Sequence, residues 1–213
     1  LPGIKRPGIA TLFPTLRGLT IAIDVGANLN PTPEQLFQYA IMVDVYARSV
    51  VKKVRPSIGL LNVGEEESKG TEALKEAYKL LRDSDLNFIG NIEGRDIFSG
   101  RADCVVCDGF VGNVVLKVAE SLFTLIIQLI KREIKSNHIA LIGGLLCKPA
   151  LMAIKKETNY EETGGAPLLG IDGHVIIAHG ASSSYAIRNA IKAAADFVLG
   201  GVNPQIVTRI ETK

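Results

Sequence analysis

Apolar runs of strand length alternate with longer stretches of helical periodicity over most of this chain. TIAIDV (20–25), SIGLLNV (57–63), LNFIG (86–90), ADCVVC (102–107) and HVIIAH (174–179) are the strand-like runs. Between them Leu36, Ala40, Val43, Ala47 and Val50 recur at helical spacing, as do Leu74, Ala77 and Leu81. Thr32, Pro33 and Gln35 supply a cap, a first-turn proline and a capping-box glutamine for the first of these helices. Further helices are expected from Gly112 to about Lys135 and from Ser182 to Leu199. Alternating strands and helices predict an α/β fold with a largely parallel sheet. The Pro- and Gly-rich opening, LPGIKRPGIATLFPT, reads as a connection between elements, which points to a longer protein.

Ligands of such sheets bind beyond the carboxyl ends of the strands. On this reading Asp24 to Asn28, Gly64 to Gly70, Asn91 and Glu93, Asp108 to Phe110, and His179 with Gly180 gather there. In CDGFVGNVVLK (107–117), Gly109 and Gly112 permit close backbone approach, and the helix behind them offers N–H groups and a positive dipole end to an anion. Asn113 adds an amide. The alternative is an ordinary strand-to-helix turn with a polar cap. GEEESKG (64–70) lacks the order of a nucleotide-phosphate loop, yet it sets Lys69 among polar residues and glycines at a strand end. A lysine there can neutralise a phosphate or an oxyanion; a solvated lysine beside three glutamates is the alternative. His179 can serve as acid, base or donor, or be satisfied by backbone. Asp24 and Asp108 either bind a ligand or fix their own turns. TGGAP (163–167) reads as a turn.

Other chemistries lack their signatures. The sequence contains no G-x-S-x-G elbow, no G-x-G-x-x-G fingerprint and no His/Cys/Asp cluster at metal spacing. Cys104 and Cys107 stand three apart in a strand. They point to opposite faces and read as buried structural residues. The 24 basic and 22 acidic residues argue against general nucleic-acid binding. The uncharged apolar runs LFTLIIQLI and IALIGGLLC fall short of a spanning helix. Three cysteines suggest no disulfide framework, and a reduced cytoplasmic setting is the simplest reading. The residues by themselves reach an α/β enzyme that handles an anion such as phosphate.

The stretches RPGIATLFPT, IDVGAN, GLLNVGEEESKG, NFIGNIEGRDI, VVCDGFVGNVVLK, YEETGGAPLLG and VIIAHGASS stand here in an order that resembles the bacterial acyl-acyl carrier protein:phosphate acyltransferases (the PlsX family). The resemblance runs over essentially the whole chain. It implies a three-layer αβα sandwich, similar to the phosphotransacetylases and isocitrate dehydrogenases, and a homodimer. The chain is then a single α/β domain over 1–213 with a helical excursion at about 117–158. The family's N-terminal region, with its DAMGGD-like segment, has no counterpart here.

The implied reaction moves a long fatty acyl group from the thioester of acyl carrier protein to inorganic phosphate. It needs no cofactor, no metal and no protein nucleophile. By resemblance Lys69 and Asn113 are the catalytic candidates, with Lys69 pairing phosphate or the oxyanion. Asp24, Asn28, Asn91, Asp108, Gly109, Gly112 and His179 are expected to shape or line the phosphate pocket. Acyl carrier protein is acidic, so Lys131, Arg132, Lys135, Lys148, Lys155 and Lys156 are its candidate docking residues. The apolar, lysine-ended stretch 139–156 is a candidate for peripheral contact with the inner face of the membrane. An acyl-coenzyme A phosphotransacetylase and a non-catalytic scaffold for carrier protein or membrane are the rival readings.

Overall fold

The computed structural model describes residues 1–157 and 164–212. Seven strands form one sheet in the order β4-β3-β5-β2-β1-β6-β7. These are β1 (Gly8–Thr15), β2 (Gly18–Ile23), β3 (Ile58–Leu61), β4 (Phe88–Ile92), β5 (Cys104–Val106), β6 (Ala166–Leu169) and β7 (Ile176–Ile177). β2, β5, β3 and β4 run parallel to one another. β1, β6 and β7 extend the sheet by antiparallel pairing. The parallel half is the part that sequence periodicity predicts.

The antiparallel half corrects three expectations. The opening segment is no mere connection, because Gly8–Thr15 is a strand in hairpin with β2, turning at Leu16 and Arg17, with Gly18 (φ +111°) opening the second strand. Gly165 and Pro167, read as part of a turn, lead into and belong to β6. The strand expected over 174–179 shrinks to Ile176–Ile177. Tyr160 to Thr163 of the YEETGGAPLLG stretch lie outside the described residues.

Helix α1 (Pro33–Ser49) starts at the Thr32 cap, with the reciprocal Gln35 bond of a capping box. α2 (Glu72–Arg82) starts at Thr71, whose hydroxyl accepts from Leu74 N. α3 (Gly109–Ile134) leaves β5 through the Asp108 cap. α4 (His138–Leu146), α5 (Lys148–Glu157), α6 (Ser184–Leu199) and α7 (Val202–Glu211) follow. The last of these has no counterpart in the sequence reading.

Strand alternation divides the core in two. Ile21, Ile23, Ile58, Leu60, Cys104 and Val106 face α1, α2 and α7. Ala22, Leu61, Ile92, Val105 and Cys107 face the other way, against Val115, Leu116 and Ala119 of α3. Cys104 and Cys107 therefore lie buried in separate cores, on opposite faces of the sheet. Burial pushes both thiols up, away from thiolate chemistry.

Beyond its first turns α3 leaves the sheet. Only Gly109 and Gly112 of its 26 residues are fully buried. Val114, Val118, Leu122, Leu125 and Leu129 form an exposed apolar stripe, and Ile139, Leu145 and Leu146 of α4 are also exposed. By length and composition α3 could cross a membrane. Its N-terminal turns instead pack on the sheet, where Val115, Leu116 and Ala119 join the second core.

Candidate active site

The carboxyl ends of β2, β3, β4 and β5 share one edge, because these strands are parallel. That edge carries the 24–28 turn, the 64–70 loop, Asn91 and the start of α3. β5 lies between β2 and β3, which sets the α3 N-terminus between the Asp24 turn and the Lys69 loop.

The Asp24 turn is held by its own carboxylate. Asp24 is fully buried, and the peptide before it is cis. Its Oδ1 accepts from the N–H groups of Ile9 (3.1 Å), Gly26 (3.1 Å) and Ala27 (2.9 Å), and its Oδ2 from Asn28 N (2.7 Å). Asn28 Nδ2 donates to Pro7 O (2.7 Å) and to the buried Tyr39 hydroxyl (2.6 Å). Burial pushes the Tyr39 phenol up, so it stays neutral. Asp24 thus builds the turn, the structural alternative that the sequence had left open for it, and Asn28 bonds within the same turn.

The first turn of α3 packs on this turn so closely that only glycine fits. A Cβ on Gly109 would come 2.7 Å from Asn28 O, and one on Gly112 would overlap the Asp24 carbonyl oxygen. The helix N-terminus is also less open than expected. Gly109 N donates to Asn28 O (2.7 Å), Gly112 N to Asp108 O (2.9 Å) and Val111 N to Asp108 Oδ1 (2.8 Å). These N–H groups are already bonded, which corrects the expectation that backbone near Gly112 holds an anion. The side-chain amide of Asn113 remains. It is exposed, lies against Gly26 (φ +148°), and has no hydrogen-bond partner among the described residues.

Lys69 stands on the neighbouring loop. Two of the three glutamates beside it are engaged elsewhere. Glu65 accepts from Arg101 at 2.7 and 3.0 Å and pairs with Arg95 at 3.4 Å; Glu67 pairs with Arg82 at 3.0 Å. The bonds from Arg101 hold the Glu65 carboxyl below the usual carboxylate range. The Lys69 ammonium is exposed and finds no acceptor among the described residues. Its stem lies over Gly64, where an added Cβ would come 3.1 Å from Lys69 Cγ. A free cation and a free amide therefore share the carboxyl edge. That is the equipment for an anion bound at the surface of an α/β sheet.

His179 does not join them. β7 runs antiparallel to β6, and β6 runs parallel to β2, so the chain leaves β7 at the opposite edge. There His179 borders a separate cleft of about 640 Å3 with Phe13, Pro14, Leu19 and Phe123. His179 Nδ1 accepts from Ala181 N at 3.1 Å. The sequence placed it with the others because it cannot show which way a terminal strand runs. It also passed over Asn62 and Arg101, which hold the lysine loop together with Gly70. An asparagine directly after a strand was the available signal.

A family model described as fatty acid synthesis protein matches residues 1–205. The chain belongs to that family. A phosphate acyltransferase from Thermodesulfovibrio yellowstonii is 51% identical over 99% of this chain and 60% of its own length. One from Campylobacter jejuni is 52% identical over 97% of this chain and 62% of its own length. This family member thus spans about 60% of the length of the curated relatives it matches. Among solved structures, a phosphotransacetylase from Streptococcus pyogenes superposes with a TM-score of 0.60 at 18% identity, over 92% of this chain and 55% of that one. A branched-chain phosphotransacylase from Enterococcus faecalis gives 0.54 at 14%, over 90% and 64%. These two show that the family member shares their three-layer α/β fold.

Proposed function

We propose that this chain is the larger part of an enzyme that transfers a fatty acyl group to inorganic phosphate for phospholipid synthesis. The supporting observation is that Lys69 and Asn113, both exposed and neither with a hydrogen-bond partner among the described residues, stand on neighbouring segments of one carboxyl edge. The relatives named phosphate acyltransferase carry the reaction type. A phosphate oxygen attacks the thioester carbonyl, the C–S bond breaks, and the thiolate takes up a proton. Phosphate is itself the nucleophile. Lys69 neutralises its charge or that of the tetrahedral oxyanion, and Asn113 donates to an oxygen of the same intermediate.

The donor we assign is acyl carrier protein, on the resemblance set out above. Lys131, Arg132, Lys135, Lys148, Lys155 and Lys156 are all exposed and carry the positive charge that an acidic carrier needs. The fold shared with phosphotransacetylases favours a second reading, in which coenzyme A is the donor. The deciding assay supplies palmitoyl-acyl carrier protein and palmitoyl-coenzyme A in parallel, with hydroxylamine trapping of acyl phosphate. It is run on this chain and on the chain extended to the length of its relatives. Phosphate-dependent turnover with the carrier protein alone is expected. Turnover with coenzyme A alone moves the protein to the second reading, and none with either makes it a scaffold.

The exposed α3 stripe and α4 are the surfaces we assign to a second copy and to an anionic membrane face, respectively. Leu141→Glu with Leu145→Glu should abolish flotation with anionic vesicles while the gel-filtration volume stays that of a dimer. Unchanged flotation removes the membrane assignment; monomer elution of the unsubstituted protein removes the dimer.

A further inference from the structure

The loop that presents Lys69 is fastened from beneath by two buried amides. Asn62, the residue after β3, is 9% exposed. Its Nδ2 donates to Lys69 O at 3.1 Å, and its Oδ1 accepts from Val63 N at 2.8 Å. From the neighbouring strand Asn91, 2% exposed, donates its Nδ2 to Glu66 O at 2.9 Å. Glu66 O also takes the Lys69 N–H at 3.1 Å. Gly70 closes the loop at φ +86°, directly over Asn62: a Cβ there would come 2.5 Å from Asn62 Oδ1.

Both amides are buried. Asn91 Oδ1 is buried without a hydrogen-bond partner among the described residues, an uncompensated cost of keeping an amide there. The return for that cost is a fixed backbone at the lysine. A lysine stem has four rotatable bonds, so its ammonium is placed only as well as its Cα and its first carbons are. Asn62 fixes the carbonyl of Lys69, Asn91 fixes the turn one N–H bond away, and Gly64 leaves room for the stem.

We propose that Asn62 and Asn91 are positioning residues that hold Lys69 for phosphate, acting on the reacting groups through the loop. The inference rests on the phosphate acyltransfer reading, and its test separates the two. Asn62→Asp keeps the size of the side chain and turns its donor toward Lys69 O into an acceptor. In the full-length protein it should lower kcat about tenfold to a hundredfold, with the KM for the acyl donor within about twofold. In a Lys69→Ala background the same change should cost nothing further, since both act through one group. Trypsin cleavage after Lys69 gives a readout independent of turnover, and Asn62→Asp and Asn91→Asp should each speed it about tenfold.

Unchanged cleavage in both variants overturns the clamp. An equal loss of kcat with and without Lys69 overturns the positioning role and leaves a general structural one. Near-normal turnover of Lys69→Ala with accelerated cleavage in the asparagine variants keeps the clamp and removes Lys69 from the proposed reaction.

Discussion

Lys69→Ala in the full-length protein will lower kcat by about two orders of magnitude or more, with the melting temperature unchanged. The size follows from what the ammonium does. In the proposed reaction it is the charge set against a dianionic nucleophile and a developing oxyanion, and removal of one donor to such a centre costs about 100- to 1000-fold. Stability should not move, because the side chain is exposed and pairs with nothing among the described residues. Asn113→Ala should behave alike for the same reasons, since its amide is exposed and has no hydrogen-bond partner among the described residues. Lys69→Arg separates charge from placement. It keeps the charge but brings a planar fork in place of a point donor, and should recover only part of the loss. Near-normal turnover in both alanine variants would sink the assignment. A fall in melting temperature matching the fall in rate would mean that the two side chains support structure.

The parallel half of the fold was legible because each of its signals is local. Thr32 and Gln35 form the capping box that their spacing predicts, and ADCVVC divides its cysteines between two faces as a strand must. The antiparallel half was not legible. β6 and β7 are four and two residues long; the direction of β6 is fixed by pairing with β1 across more than a hundred residues of sequence, and that of β7 by pairing with β6. A short strand carries no mark of its direction, so His179 was assigned to the wrong edge. At the candidate site most of the loops singled out in the sequence meet at one sheet edge, but several of their polar groups turn inward. Asp24, Asn28, Asp108, Gly109 and Gly112 are the framework, and their polar atoms bond within it. Framework and ligand-facing residues draw on the same residue types at strand ends. Only the hydrogen-bond partners tell them apart.

Gly112→Ala is expected to be far more damaging than an alanine in a helix normally is. Helix propensity alone favours alanine over glycine by up to about 1 kcal/mol. Here the added carbon would overlap the carbonyl oxygen of Asp24 and come within 3.0 Å of Cys107 Sγ. Neither neighbour can give way cheaply. Asp24 N donates to Cys107 O at 3.1 Å and Cys107 N to Ile23 O at 2.7 Å, while the Asp24 carboxylate holds Gly26, Ala27 and Asn28. The helix must move instead, and α3 then loses its seat on the sheet. Overpacking against backbone places the cost at about 3 to 5 kcal/mol, or roughly 10 °C in melting temperature for a chain of this size. Gly143→Ala in α4 is the matched control, because nothing lies within 4 Å of a Cβ built there, and it should melt at or slightly above the parent. Equal melting of the two variants would show that the α3 N-terminus can shift without cost. Asn113 would then owe its place beside Gly26 to something other than this contact. A loss confined to Gly112→Ala ties fold to function at one carbon, since the same close approach that excludes a side chain at Gly112 sets the free amide one residue later at the sheet edge.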